Sequence, residues 1–122
     1  MTTIWADGGH KHMLVRDKYK LTAYGSFSTN GKIHEYVFGP GTSQTAEFKT
    51  LIAALEWCKK HHVSNPLVYM DSKSVVDAMN GSGRAKSRVI VPLYRRADEL
   101  KRAVNATVVW TPREEVVARL GH

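Results

Sequence analysis

Three carboxylates stand where an acid is costly without a purpose. Asp7 closes the apolar run TIWAD, Asp71 closes LVYMD, and Glu47 falls in the first turn of a helical pattern, on the same stripe as Leu51 and Leu55. An inward-facing Asp or Glu is rare unless it is paired or bound to a metal, because a carboxylate taken out of water without a partner is strongly disfavoured. Three such groups brought from separate segments to one end of a sheet repel one another unless a cation lies between them. Hard oxygen donors of this kind suit Mg²⁺ or Mn²⁺, which bind a few carboxylates together with water and substrate phosphate. A local reading competes at one position: Asp71 or Ser72 also suits the N-cap of the helix that follows, accepting hydrogen bonds from its first N–H groups.

The elements that must position these acids are read from periodicity. TIWAD reads as a first strand ending on Asp7, and GGHKHMLVRDKYK as a polar connector. The runs LTAYGSFS and IHEYVFG flank Asn30-Gly31, a strong hairpin signal. Gly39-Pro40-Gly41 breaks the sheet. From Ser43 the spacing of Glu47, Leu51, Ala54, Leu55 and Cys58 predicts a helix, capped by Thr42 or Ser43 and ending near His61. Asn65-Pro66 punctuates before LVYM, a continuous apolar run typical of a strand buried on both faces. A helix over Ser72 to Asn80 places Val75, Val76 and Met79 on one face, with Asn80-Gly81 as its C-cap. SGRAKSRVIV reads as a loop. Pro92 then suits the first position of a helix with Leu93, Ala97, Leu100 and Val104 on one face and Arg95, Arg96, Lys101 and Arg102 on the other. ATVVW is a last strand and TPREEVVARLGH a short last helix. This order predicts one α/β domain over residues 1–122, a five-stranded mixed sheet that starts as an antiparallel hairpin and continues by strand–helix alternation, with helices packed on it.

Composition bounds the function. With 122 residues, 43% hydrophobic and 24% charged, the chain reads as an ordinary globular protein able to bury a core. No apolar run approaches the ~20 residues of a spanning helix, and MTTIWADGG has no basic or apolar leader region, so a cytoplasmic, membrane-free protein is expected. Cys58, the single cysteine, falls on the apolar stripe of its helix and reads as a buried thiol rather than a nucleophile. Eighteen Lys and Arg against eleven Asp and Glu give a net charge of +7, which favours a polyanionic partner. The positive residues concentrate between Arg84 and Arg102, as a phosphate-facing patch requires.

Four segments in order, ADGG, TSQTAEFKTLIAALEW, VYMDSKSVVDAMNG and VVWTPREE, resemble the ribonuclease HI family of the RNase H-like fold, and together they cover nearly the whole chain. The resemblance implies a metal-dependent endoribonuclease acting on the RNA strand of RNA–DNA hybrids, with no small-molecule cofactor. Asp7, Glu47 and Asp71 match the family's first three metal-binding carboxylates, which hold two Mg²⁺ or Mn²⁺ ions against the scissile phosphate. Thr42, Ser43 and Gln44 match small polar residues that touch the hybrid in its minor groove, where 2′-hydroxyls distinguish RNA from DNA. Ser72, beside Asp71, joins this set.

The chain departs from the family at its C-terminus, where PREEVVARLGH puts Arg119 or Leu120 in place of a fourth carboxylate. Three residues are candidate substitutes. Glu114 matches a mobile catalytic-loop position, although Thr111-Pro112-Arg113-Glu114 is also a complete capping box. Glu115 begins the face that continues to Arg119 and His122, and reads either as surface charge or as a carboxylate reaching the metals from one turn earlier. His122 lies on the same side if the helix persists. The family's basic, tryptophan-containing handle is replaced by GSGRAKSRVIVPLYRR, so Arg84, Lys86, Arg88 and Arg95 are expected to carry part of its grip, with weaker and more salt-sensitive binding. His10 and His12 read as a solvated loop, with phosphate or metal contact the alternative. Trp5, Trp57 and Trp110 read as core. Two other functions share this fold: a nucleic-acid-binding module with impaired catalysis, and a DNA nuclease.

Overall fold

The structure is a computed structural model that describes residues 2–82 and 87–121. Strands β1 (Thr3–Val15), β2 (Lys18–Thr29) and β3 (Lys32–Pro40) are followed by helix α1 (Ser43–Lys60), β4 (Leu67–Met70), α2 (Lys73–Met79), α3 (Ile90–Val104), β5 (Thr107–Trp110) and α4 (Arg113–Leu120). The sheet order is β3-β2-β1-β4-β5. The first three strands are antiparallel neighbours, while β1 pairs β4 and β4 pairs β5 in parallel. The result is the five-stranded mixed sheet with four helices of an RNase H-like α/β fold.

The largest difference from the sequence reading lies in β1. It does not end at Asp7, and GGHKHMLVRDKYK is not a connector: β1 runs on to Val15, turns at Arg16-Asp17, and returns as β2 in continuous register from Val15↔Lys18 to Ile4↔Thr29. Arg16 and Asp17 both have positive φ, 49° and 64°, the backbone pattern of a two-residue turn matched to strand twist. Neither is the Asn or Gly that announces such a turn, which is why the sequence hides it. The Asn30-Gly31 turn, with φ of 50° and 82°, forms as its sequence demands.

The core lies between one sheet face and helices α1, α2 and α3. Leu51, Ala54, Leu55 and Cys58 of α1 are fully buried against Ile4, Ala6, Phe27 and Val68 of the sheet, and Ala97, Leu100 and Val104 of α3 complete the layer. Each buried Leu, Ile, Val or Phe side chain here contributes about 1.5–3 kcal/mol of transfer free energy. Two glycines set the approach of α1. A Cβ on Gly8 would sit 2.5 Å from the Ala46 carbonyl carbon, and one on Gly25 would sit 1.8 Å from Thr50 Oγ1. Because Gly8 and Gly25 are paired across β1 and β2, they form a flat floor on which the first turns of α1 rest.

Other boundaries move by a turn or less. Thr42 caps α1, its hydroxyl accepting from Thr45 N–H at 3.4 Å, so Glu47 is the fifth helical residue and lies one turn further in than the sequence reading placed it. Helix α3 starts at Ile90, so Pro92 is its third residue rather than its first; the first N–H groups of a helix have no intrahelical partner, and proline loses nothing there. Ser87 to Val89 lead into it. The capping box before α4 does not form. Thr111 instead donates its N–H to the Met70 carbonyl at 2.9 Å, prolonging the β4–β5 pairing, and Pro112 takes the N-cap position without a side-chain cap. Trp110 is 49% exposed rather than core, as befits edge strand β5. Trp5 stacks on Tyr69 with ring centroids 4.5 Å apart, and Trp57 packs partly buried against the core. Cys58 is fully buried, and burial pushes its thiol up to about 11. Among the described residues no helix is long and apolar enough to cross a membrane.

Candidate active site

The parallel pairing of β1 and β4 ends at Ala6↔Met70, and the next residue on each strand is an acid, Asp7 and Asp71. Two neighbouring strands therefore carry their carboxylates abreast. They do so where β1 has an antiparallel neighbour on one side and a parallel one on the other, a crevice at the carboxyl end of β4 of the sort α/β sheets use for ligands. Helix α1, lying on Gly8, brings Glu47 to the same place. Asp7, Glu47 and Asp71 line one cavity of about 220 Å³, together with Gly8, Gly9, His10, Tyr24, Ser43 and Arg113.

Glu47 and Asp71 each have a partner. Ser72 caps α2, accepting from Val75 N–H at 3.5 Å, and donates its hydroxyl hydrogen to Glu47 Oε2. The pair divides its contacts: Ser72 caps α2, while Asp71 lines the cavity. The Asp71 carbonyl accepts from the Trp110 indole N–H at 3.2 Å, and its carboxylate lies 3.9 Å from the Arg113 guanidinium with only 12% of the side chain exposed. Burial, first, and the nearby charges of Asp71 and Asp7 raise the Glu47 pKa, against the lowering effect of the Ser72 hydrogen bond. Burial thus acts together with neighbouring carboxylates to favour the protonated form of Glu47. Hard carboxylate oxygens at the mouth of a polar cavity fit Mg²⁺ or Mn²⁺ by donor type. Among the described residues no three His, Cys, Asp or Glu side chains have already converged as a ligand set.

The other expected residues are placed as follows. Ser43 lines the cavity and hydrogen-bonds His10 Nδ1, so His10 is tied to the first helical turn of α1 rather than belonging to a solvated loop; His12 is exposed on β1. Thr42 is occupied as the cap, and Gln44 is exposed beside it. Glu114 and Glu115 are exposed in the first turn of α4, outside the residues that line the cavity. Arg119 lies over the Trp5 ring, 5.0 Å from its centroid, and Leu120 is buried. Arg88 and Arg95 are exposed before and on α3. Arg84, Lys86 and His122 lie outside the described residues. Sequence reasoning missed Arg113, Tyr24 and the two floor glycines. Arg113 stood in the quoted PRE turn and the glycines in ADGG and AYGS, but only the fold shows what they face.

Comparison with known proteins agrees with this architecture. The profile of the reverse transcriptase-like family matches residues 30–118. A bifunctional protein of Mycobacterium tuberculosis is 36% identical over 78 residues, 62% of this chain and 21% of that protein, so the match spans about a fifth of the relative's length. The N-terminal RNase H domain from Mycobacterium tuberculosis, solved as a fusion with maltose binding protein, superposes with a TM-score of 0.78 at 25% identity, over 95% of this chain and 90% of that one. An RNase H1 isolated from compost, solved in complex with an RNA/DNA hybrid, gives 0.78 at 21% identity over 97% and 90%, a likeness of fold alone. With well over half of its length matched, its topology shared and its acids at the sheet's crevice, the chain belongs to the reverse transcriptase-like family of RNase H-fold domains.

Proposed function

We propose that this protein is a metal-dependent endoribonuclease that hydrolyses the RNA strand of RNA–DNA hybrids. The observation that carries the reading is the meeting of Asp7, Glu47 and Asp71 at one cavity in an RNase H-fold domain. These three carboxylates would hold Mg²⁺ or Mn²⁺, two ions with substrate in place. When bound, such ions activate the attacking water and stabilise the leaving 3′ oxygen.

The chain's own groups do the rest. Ser72 fixes the orientation of Glu47. Arg113, whose guanidinium reaches toward Asp71, is placed to hold a phosphate oxygen of the scissile strand at the cavity mouth. Ser43, with Thr42 and Gln44 beside it, stands at the positive end of the α1 dipole, where small polar side chains can test for 2′-hydroxyls. Arg88 and Arg95 offer charge to the flanking phosphates. Glu114 would help product or metal release, and Glu115 would reach the metals from one turn before the missing acid. The hybrid-bound compost enzyme supports the substrate class. The reaction is assigned to the cytoplasm, and the domain to residues 1–122.

A second reading has its own observation. Arg119, near the point where the resemblance calls for an acid, is engaged with Trp5, and Arg113 neutralises part of the carboxylate cluster. Both favour a module that binds hybrid without cutting it. The test is a gel assay with labelled RNA presented as single strand, RNA duplex and hybrid, and labelled DNA duplex, under Mg²⁺, Mn²⁺ or EDTA, for wild type and Asp71→Asn. Metal-dependent cleavage of the hybrid alone, lost in the variant, is expected. Binding without cleavage under any metal supports the second reading, and cleavage of DNA refutes the substrate assignment.

A further inference from the structure

Beyond the sheet proper, β1 and β2 continue as a two-stranded ribbon. Pairing with β4 stops at Ala6 and pairing with β3 stops at Thr22, yet β1 and β2 stay in register to Val15 and Lys18. From His12 to Val15 the two-stranded part reaches about 10 Å. A lone ribbon is marginal in water, and this one keeps Leu14 59% and Tyr19 74% exposed and turns through two non-glycine residues at positive φ. The fold's own packing gives no reason for it.

Its charge does. Between His10 and Tyr24 stand Lys11, Arg16, Lys18 and Lys20 against one acid, Asp17, so the ribbon with its root carries +3 of the chain's +7. The register places Lys11, Lys18 and Lys20 on one face with Met13, because Met13 pairs Lys20 and alternate residues of a strand share a face. Lys11 extends over the Tyr24 ring, 4.9 Å from its centroid, and Tyr24 also lines the carboxylate cavity. The ion pairs among the described residues are Arg96–Glu99, Arg102–Asp98 and Arg113–Asp71. The arginines of α3 are thus partly neutralised within their own helix, while the ribbon's cations face solvent. Its root is fixed to the site by the hydrogen bond between His10 and Ser43.

We propose that the β1–β2 ribbon is a nucleic-acid arm, with Lys11, Lys18, Lys20 and the tip residue Arg16 gripping the phosphate backbone of the duplex that leaves the carboxylate cavity. The assignment rests on the proposed function in taking the hybrid as ligand, and its test is made on binding so that the two fail separately. Fluorescence anisotropy of a labelled RNA–DNA hybrid, in EDTA, is measured against salt for wild type, for Lys11→Gln/Lys18→Gln/Lys20→Gln, and for the charge-matched control Lys32→Gln/Lys59→Gln/Lys60→Gln at the start of β3 and the last turn of α1. Each phosphate contact contributes about 0.9 to the slope of log K against log salt. The ribbon variant is expected to flatten that slope by roughly 2–3 and to raise Kd by tenfold or more at low salt, with its melting temperature unchanged and with the control close to wild type. Equal losses in ribbon variant and control mean net charge alone and overturn the proposal. A ribbon variant that binds like wild type also overturns it, leaving the Leu14 and Tyr19 face to a protein partner. No hybrid binding by wild type in EDTA overturns the arm while metal-dependent cleavage still tests the proposed function, and binding without cleavage overturns the nuclease while leaving the arm standing.

Discussion

At the scale of single residues the site is a contest between burial, mutual repulsion and hydrogen bonding. Glu47 is held by one hydroxyl, from Ser72, whose own position is fixed as the cap of α2. Partners of this kind orient metal ligands, and removing one typically lowers activity about 10–100-fold. Ser72→Ala is expected to fall in that range, with about 1 kcal/mol lost from the cap; steady-state cleavage and thermal melting measured together separate the two effects. Retention of full activity would show that Glu47 needs no such support. Cys58 gives the clearest pH effect. Its folded pKa, about 11, lies above the ordinary 9.0 because burial penalises the thiolate, so the fold favours the thiol. The contribution is complete below pH 9.0 and is lost as pH rises toward 11, by roughly 2–3 kcal/mol at about 1.4 kcal/mol per pKa unit. The stability gap between wild type and Cys58→Ala should therefore narrow across that window. A gap constant with pH would mean that the thiol is not sequestered.

At the scale of elements the decisive contact is helix α1 on the paired glycines. With the Ala46 carbonyl carbon 2.5 Å from a Cβ at position 8, Gly8→Ala must push the helix off β1, because the obstacle is backbone. Overpacking of this kind destabilises by about 1–3 kcal/mol, and here it also moves Glu47 away from Asp7 and Asp71. Gly8→Ala is thus expected to lower the melting temperature by several degrees and to reduce cleavage more than binding, read as a fall in kcat with KM for the hybrid nearly unchanged. Equal losses in both would point to general unfolding instead. The turn at Arg16-Asp17 belongs to the same scale. Its residues carry no glycine or asparagine signal, and the strands it joins alternate lysine with apolar side chains, which reads as a connector until the register is known.

For the whole molecule, the carboxylate cluster is destabilising in isolation and should be relieved by a cation. A divalent ion that binds only the folded state stabilises by about 2.7 kcal/mol at a hundred times its Kd. Millimolar Mg²⁺ or Mn²⁺ should raise the melting temperature of wild type but not of Asp7→Asn, and a flat response in wild type would count against a metal site at these residues. The sequence by itself determined the order of the elements, the apolar faces of α1 and α3, the Asn30-Gly31 turn and the three acids, because all of these are written in local periodicity and in the rarity of inward carboxylates. Tertiary structure decided what depends on partners far along the chain. It set Asp7 beside Asp71 through the β1–β4 register, Glu47 against both through the glycine floor, Arg113 at the cavity mouth, and the ribbon where a connector was expected. The physical reason is common to all four: strand register and helix approach are fixed by contacts between segments, and no local pattern encodes which residue will stand opposite.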